Sequence, residues 1–291
     1  MTPPASSTTE PPVFKLGTLK IPPATGLEQN EVLPFSIANF KKAVTDRLRA
    51  HDGGDDTQLW IVFRGFDCSK LKYIDQLRYP IRLQLDDSKL IVKMVGPVHE
   101  MMHRGLLIII QRDMALMGLR GNEHFVDLGS ARYQHRSNNS FKEADSALAP
   151  VGPQPRPAIV IEAGWSESLA HLHVDAQWWL SAQLPPNDTT LVVLVSFKRP
   201  ERTFHLEKYE LVAAPGRVTR STPPGARSLA MCTASATIDL RSTPPTITGA
   251  PFVLPFAGIM RRPPIAPERN VSLSAAELET WATTIATAQN L

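Results

Sequence analysis

Two groups of residues in this chain have the types and spacing for chemistry. The first is an acidic pair set in apolar sequence. Asp145 closes the segment Lys142-Glu143-Ala144-Asp145, and Glu162 follows the β-branched run Ile159-Val160-Ile161. A carboxylate emerging from a buried strand is expensive unless it is paired or metal-bound. Side chains alternate along a strand, so Glu162 shares a face with Ala158, Val160 and Gly164. Asp145 lies on a neighbouring extended segment. Oxygen donors from two adjacent strand ends suit Mg²⁺, which keeps several waters. Such an ion activates water and neutralises charge growing on a phosphate. On spacing alone, the same residues also fit a strand-end salt bridge and a turn aspartate.

The second group is His99-Glu100-Met101-Met102-His103, a literal H-E-x-x-H on an expected helix. Histidines four apart share a helix face and can bind Zn²⁺, with Glu100 as general base of a zinc metallopeptidase. Asn122-Glu123 and Asp127 follow at the separation where thermolysin-like peptidases carry their third ligand. That ligand sits on a second helix, whereas here Gly118 and Gly121 break the chain and 125–133 reads as extended. A surface pair between Glu100 and Arg104 accounts for Glu100 without a metal.

The elements that must position these groups follow from periodicity and punctuation. A helix is predicted over 36–50, capped by Ser36 and ended at His51-Asp52-Gly53-Gly54. Strands are expected at 59–63 and, as a pair around Asp86-Asp87-Ser88, over 79–94. The segment 97–118 predicts a helix buried on several sides, with Pro97 in its first turn. Extended segments follow at 125–133, 144–148 and 158–163. A helix over 168–183 carries the stripe Leu169, Leu172, Ala176 and Trp179, with Trp178 expected to be partly exposed. The run 191–197 reads as a buried strand and 204–212, which alternates, as an outer antiparallel strand. A Pro/Gly/Arg-rich loop is expected over 214–226, a strand near 234–240 and a last helix from 274, where Ser274 and Glu277 form a capping box. Residues 1–33 are proline-rich and read as a disordered tail, leaving 34–291 as one domain. The order of elements suggests a mixed sheet with helices on its faces.

Composition excludes little. The 291 residues are 43% hydrophobic and carry a net charge of +3, too small an excess to imply nucleic-acid binding without a concentrated patch. Lys198, Arg199 and Arg202, with Arg217, Arg220 and Arg227, form a loose basic cluster that fits either phosphate contacts or solvated charge. Cys68 and Cys232 fit no metal or redox spacing and suggest a reducing compartment. No apolar run reaches membrane-span length and no signal peptide is evident, so a cytoplasmic or nuclear protein is expected.

Three stretches carry a further likeness: Lys142 to Asp145, Ala158-Ile159-Val160-Ile161-Glu162-Ala163-Gly164-Trp165-Ser166-Glu167-Ser168-Leu169, and Asp175-Ala176-Gln177-Trp178-Trp179. Together they resemble the PD-(D/E)XK nuclease superfamily, in its restriction-endonuclease branch. Weaker similarity reaches back to His99-Glu100 and forward to Trp281. The resemblance implies an α/β restriction-endonuclease-like fold: a mixed β-sheet flanked by helices, then antiparallel C-terminal strands and a terminal helix. It also implies hydrolysis of DNA phosphodiester bonds with Mg²⁺ or Mn²⁺ held by Asp145 and Glu162. Glu100 would then be a helix acid near the metal, and a homodimer is among the expected assemblies. Ala144 replaces the family's proline. Gly164 stands where the family has a lysine that orients water and stabilises the phosphate transition state. His171, His173 and Lys198 are the candidates to replace that lysine. If none does, a non-catalytic nucleic-acid or protein binding module on the same fold remains.

Overall fold

A computed structural model describes residues 14–15, 32–53, 55, 59–86, 88–135, 140–153, 155–165, 169–181, 189–213 and 228–291. In chain order the elements are β1 (Phe14–Lys15), β2 (Val32–Pro34), α1 (Ile37–Asp52) and β3 (Trp60–Arg64). A 3-10 turn (Cys68–Lys70) leads into α2 (Leu71–Gln76), the hairpin β4 (Ile81–Asp86) and β5 (Lys89–Met94), and α3 (Pro97–Leu116). Next come β6 (Phe125–Asp127), β7 (Arg132–Gln134), β8 (Phe141–Glu143), β9 (Ser146–Pro150), β10 (Ile159–Trp165), α4 (Leu169–Ser181) and β11 (Leu191–Lys198). The chain ends with β12 (Thr203–Ala213), β13 (Ser228–Asp239), β14 (Thr246–Thr248), β15 (Phe252–Leu254), α5 (Phe256–Met260), β16 (Val271–Leu273) and α6 (Ala275–Gln289).

The architecture is mixed α/β, built on two main sheets rather than the single sheet expected. The larger runs β1-β13-β12-β11-β10-β9-β6, with β14 on β13, and the smaller runs β2-β3-β5-β4-β8-β7. β10 and β11 are parallel and joined through α4, whereas β9 and β12 flank them antiparallel. A parallel pair needs such a crossover, and its strands are buried on both faces. All seven residues of β10 are buried accordingly. Ile159, Ile161, Ala163 and Trp165 join the core shared with α3 and α6, while Val160 joins a second core with Leu172, Ala176 and Trp179 of α4.

Local signals act as expected at the helix ends. The Ser36 side chain accepts from the Asn39 N–H, and Ser274 with Glu277 forms the reciprocal capping box. Elsewhere tertiary context overrides the sequence pattern. Phe14–Lys15 pairs with β13 and Val32–Pro34 with β3, so these parts of the expected tail are strand. The segment 125–133 is not one strand. Gly129 has φ +54°, Asp127 Oδ1 accepts from its N–H, and the resulting turn sends β6 to the larger sheet and β7 to the smaller one. β12 alternates but is interior, between β11 and β13, because alternation reports the two faces of a strand and not its edges. Trp178 is as buried as Trp179, since α4 is covered on every side. The expected loop at 214–226, with Arg217 and Arg220, lies outside the described residues, as does Arg227.

Candidate functional site

The chain passes from the smaller sheet to the larger one between β8 and β9, and Asp145 sits in that passage. The β9–β10 ladder ends at the pair Ser146–Ile161. Beyond it the free edge of β10 is met by a side chain. The Ala163 N–H donates to Asp145 Oδ2 at 2.8 Å, where a further ladder bond would otherwise fall. Lys93 of β5 donates to the Ala163 carbonyl at 2.6 Å and lies 3.3 Å from the same carboxylate oxygen. His99 Nε2 of α3 is 3.0 Å from Oδ2, and facing a carboxylate it donates. Arg82 Nε of β4 is 3.6 Å from Oδ1.

Glu162 comes next on the β10 face covered by α4. Trp179 Nε1 donates to its Oε1 at 2.5 Å, and Lys142 Nζ of β8 is 3.9 Å away. Lys142 also forms an ion pair with Asp175 Oδ1 of α4 at 2.8 Å and donates to Gln84 Oε1 at 3.4 Å. Register explains why these groups converge. Trp60, Lys93 and Arg82 are directly opposite one another across β3, β5 and β4, and Gln84 is opposite Lys142 one pleat further on. Lys93, Arg82, Gln84 and Lys142 therefore belong to one face of the smaller sheet, and they meet β10 and α4 at the seam between the sheets.

Burial and charge act oppositely on the two acids. Burial opposes the Asp145 charge, but His99 and Lys93 outweigh it and hold the carboxyl well below the usual carboxylate range. Burial pushes Glu162 well above that range; Lys142 pulls it down, while Asp145 and Asp175 add to the rise. Burial alone would lower Lys142, yet Asp175 and Glu162 more than offset this and raise it. The seam thus favours the charged form of Asp145 and disfavours that of Glu162, with Lys93 and Lys142 between the sheets.

Of the residues singled out from sequence, Asp145, Glu162 and Glu100 come close to this seam. Glu100 accepts from Arg82 Nη2 and Arg104 Nε, both at 2.7 Å, the second being the expected i,i+4 pair. The other candidates have partners elsewhere. His171 packs on Trp60 at 4.4 Å between ring centroids, His173 Nε2 is 2.7 Å from Glu207 Oε2 of β12, and Lys198 pairs with Glu201 at the surface. On α4 a two-residue spacing turns the two histidines to different sides. Glu123, at the separation of a peptidase's third zinc ligand, is exposed beside Arg120 and is not part of the cluster formed by His99, Glu100 and His103. Lys93 and Lys142 were not among the candidates. A lysine in a short strand reads as an outward charge, and only the docking of two sheets turns it inward. Lys142 did have one signal, its place within the stretch that ends at Asp145.

A cavity of about 290 Å³ adjoins the seam. Lys93 and His99 line it, with Trp60, Trp165, His51 and Arg199. Arg199 lies over the Trp165 ring at 5.3 Å, and Trp165 stacks on Phe197. The cavity thus joins basic groups to aromatic walls, the combination that suits a phosphate carrying a base.

Among the described residues, no helix is long and apolar enough to cross a membrane. No protein-family model matches the chain, and no curated protein matches it either.

Proposed function

We propose that this chain is a divalent-metal nuclease of the PD-(D/E)XK type, in which the basic group has moved from the Glu162 strand to neighbouring strands. One observation carries the reading. Asp145, between β8 and β9, and Glu162, within β10 just past the last β9–β10 pair, lie in a buried seam, and Lys93 and Lys142 lie within 4 Å of Asp145 and Glu162 respectively although Gly164 offers no side chain. A restriction-endonuclease-like core is part of the proposal. It is supported by the mixed sheet between α3 and α4, the antiparallel β12 and β13, and the terminal α6.

The donor set suits Mg²⁺ or Mn²⁺, since both acids offer hard oxygen atoms. Asp145 Oδ1 is buried without a hydrogen-bond partner, an acceptor that a cation would satisfy. Asp145 and Glu162 would hold the ion, which when bound polarises a phosphate and its attacking water. The remaining roles belong to this chain. Lys93 and Lys142 offer ammonium groups to charge on the phosphate, and Trp179 fixes the Glu162 carboxyl. Trp60 and Trp165 give DNA bases an aromatic wall beside Lys93.

The experiment is cleavage of plasmid and linear DNA with Mg²⁺ or Mn²⁺. Asp145→Ala and Glu162→Gln are expected to abolish it, and Lys142→Ala to slow it by about a hundredfold. Unchanged activity in both acid variants sinks the reading. A second reading, a binding module on the same fold, is favoured by a different observation: neither carboxylate lines the cavity, and each has a protein ammonium group within 4 Å. DNA bound but never cut, with any divalent ion, decides for that reading.

A further inference from the structure

A second cluster lies on the α3 side of Asp145. His99, Glu100 and His103 each offer one ligand atom, and these atoms all lie within 4.8 Å of one another. His103 Nε2 is 3.4 Å from Glu100 Oε1, and His99 Nδ1 is 3.8 Å from the same oxygen. A tetrahedral zinc ion with bonds near 2.1 Å sets its ligands about 3.4 Å apart. Of the three pairs, one already has that spacing, a second needs a shift of a few tenths of an ångström, and the third, His99 Nδ1 to His103 Nε2, lies within 4.8 Å.

The inner ring nitrogens make the case. His99 Nδ1 and His103 Nε2 are buried and have no hydrogen-bond partner, in side chains at most 4% exposed. Buried polar atoms are rarely left so. The outer nitrogens, by contrast, are both held. His99 Nε2 meets Asp145 Oδ2 at 3.0 Å, and His103 Nδ1 meets Ser146 Oγ at 2.7 Å. A carboxylate that accepts from the Nε2–H of His99 leaves a lone pair on Nδ1. A hydroxyl can rotate to accept from Nδ1 of His103 and leave a lone pair on its Nε2. This is how metal-binding histidines are commonly oriented, by an acceptor on the far nitrogen. Glu100 Oε1 also accepts from Arg82, and Oε2 from Arg104, which fixes the carboxylate. The Glu100 side chain, 29% exposed, borders the groove between α3 and α6 and gives an ion a way in.

We infer that His99 Nδ1, His103 Nε2 and Glu100 Oε1 form a binding site for a zinc-class transition ion, oriented from behind by Asp145 and Ser146. The site differs from the peptidase arrangement expected from H-E-x-x-H, since Glu100 is a ligand and not the base. Three protein ligands leave a fourth position for water. The inference does not depend on the nuclease reading, because Asp145 acts here only through His99.

The experiment is titration of the purified, metal-stripped chain with Zn²⁺, and with Co²⁺ as a spectroscopic probe. One ion per chain is expected, with a visible Co²⁺ spectrum showing nitrogen ligation and four-coordination. Melting temperature should rise with Zn²⁺ concentration. His103→Gln and Glu100→Gln should lose the ion while keeping the near-UV circular dichroism of the parent. Asp145→Asn should weaken binding by about 10–100-fold. Glu162→Gln should bind zinc as the parent does, which separates this site from the Mg²⁺ site proposed above. No zinc on the folded parent, or equal zinc on His103→Gln and Glu100→Gln, overturns the inference. If either variant unfolds, His99→Gln read by the Co²⁺ spectrum decides in its place: an unchanged spectrum overturns it.

Discussion

Asp145 and Glu162 are next to each other beyond the last rung of the β9–β10 ladder, and each has a lysine from the smaller sheet nearby. Asp145 also has a backbone N–H and an imidazole, so its charge is solvated by the protein. Glu162 has one indole N–H, and its lysine is shared with Asp175 at a shorter distance. Two acids in almost the same depth of protein therefore hold their protons differently. Burial is nearly the same for both, so the donors around Asp145 and the anions Asp145 and Asp175 beside Glu162 separate them.

The largest expected effect follows from that contrast. Asp145→Ala leaves Lys93 and His99 without their anion and the Ala163 N–H without an acceptor. Breaking a buried pair from one side costs about 3–5 kcal/mol, to be read from denaturant unfolding at neutral pH. A loss under about 1 kcal/mol would mean that water replaces the carboxylate, and the contrast would collapse.

Glu162→Gln should behave in the opposite way. The folded state raises the Glu162 pKa above its ordinary 4.5, so above that pH the unfolded chain releases a proton that the folded chain keeps. Parent stability therefore falls as pH rises from 4.5 towards the folded value, by at most about 1.4 kcal/mol per pH unit for one proton. The glutamine variant lacks this slope, and its stability relative to the parent should climb over the same interval. Asp145 has the reverse sign: its folded pKa is depressed, so its contribution is present above the ordinary 3.8 and lost as pH falls below it. Unfolding curves from pH 4 to 8 on the parent and the glutamine variant sharpen the comparison; parallel curves would remove it.

The smallest effect is expected at Lys198. Its side chain is 44% exposed and its ion pair with Glu201 spans 3.6 Å at the surface. Lys198→Ala should change stability by less than about 0.5 kcal/mol and leave DNA cleavage as it was. A drop in cleavage of tenfold or more would return Lys198 to the role its strand-end position suggested, and would take that role from Lys93 and Lys142.

The acids were legible because they interrupt or end apolar runs, where a charge has to be explained. β10 was legible for the same reason, as a β-branched stretch with no polar face until Glu162. Both capped helices were readable from their Ser36 and Ser274 signals. The lysines were not. Leu90, Val92 and Met94 alternate with Ile91 and Lys93, and that pattern reads as a strand with one wet face. The face is dry because a second sheet covers it, a fact held in contacts far apart in sequence. The break at Gly129 was hidden similarly: the residues on either side are extended, but they serve different sheets. The histidines of α4 are candidates only through the resemblance, and the helix turns them towards Trp60 and Glu207.

The Ala163 amide has a particular standing. Its acceptor is the Asp145 carboxylate, and the carbonyl of the same residue accepts from Lys93 of the other sheet. An ordinary ladder amide stays protected from hydrogen exchange while its own sheet holds together. This one stays protected only while the two sheets remain docked. Its exchange rate is therefore a direct gauge of how often the sheets part, and so of how often the charges between them meet water.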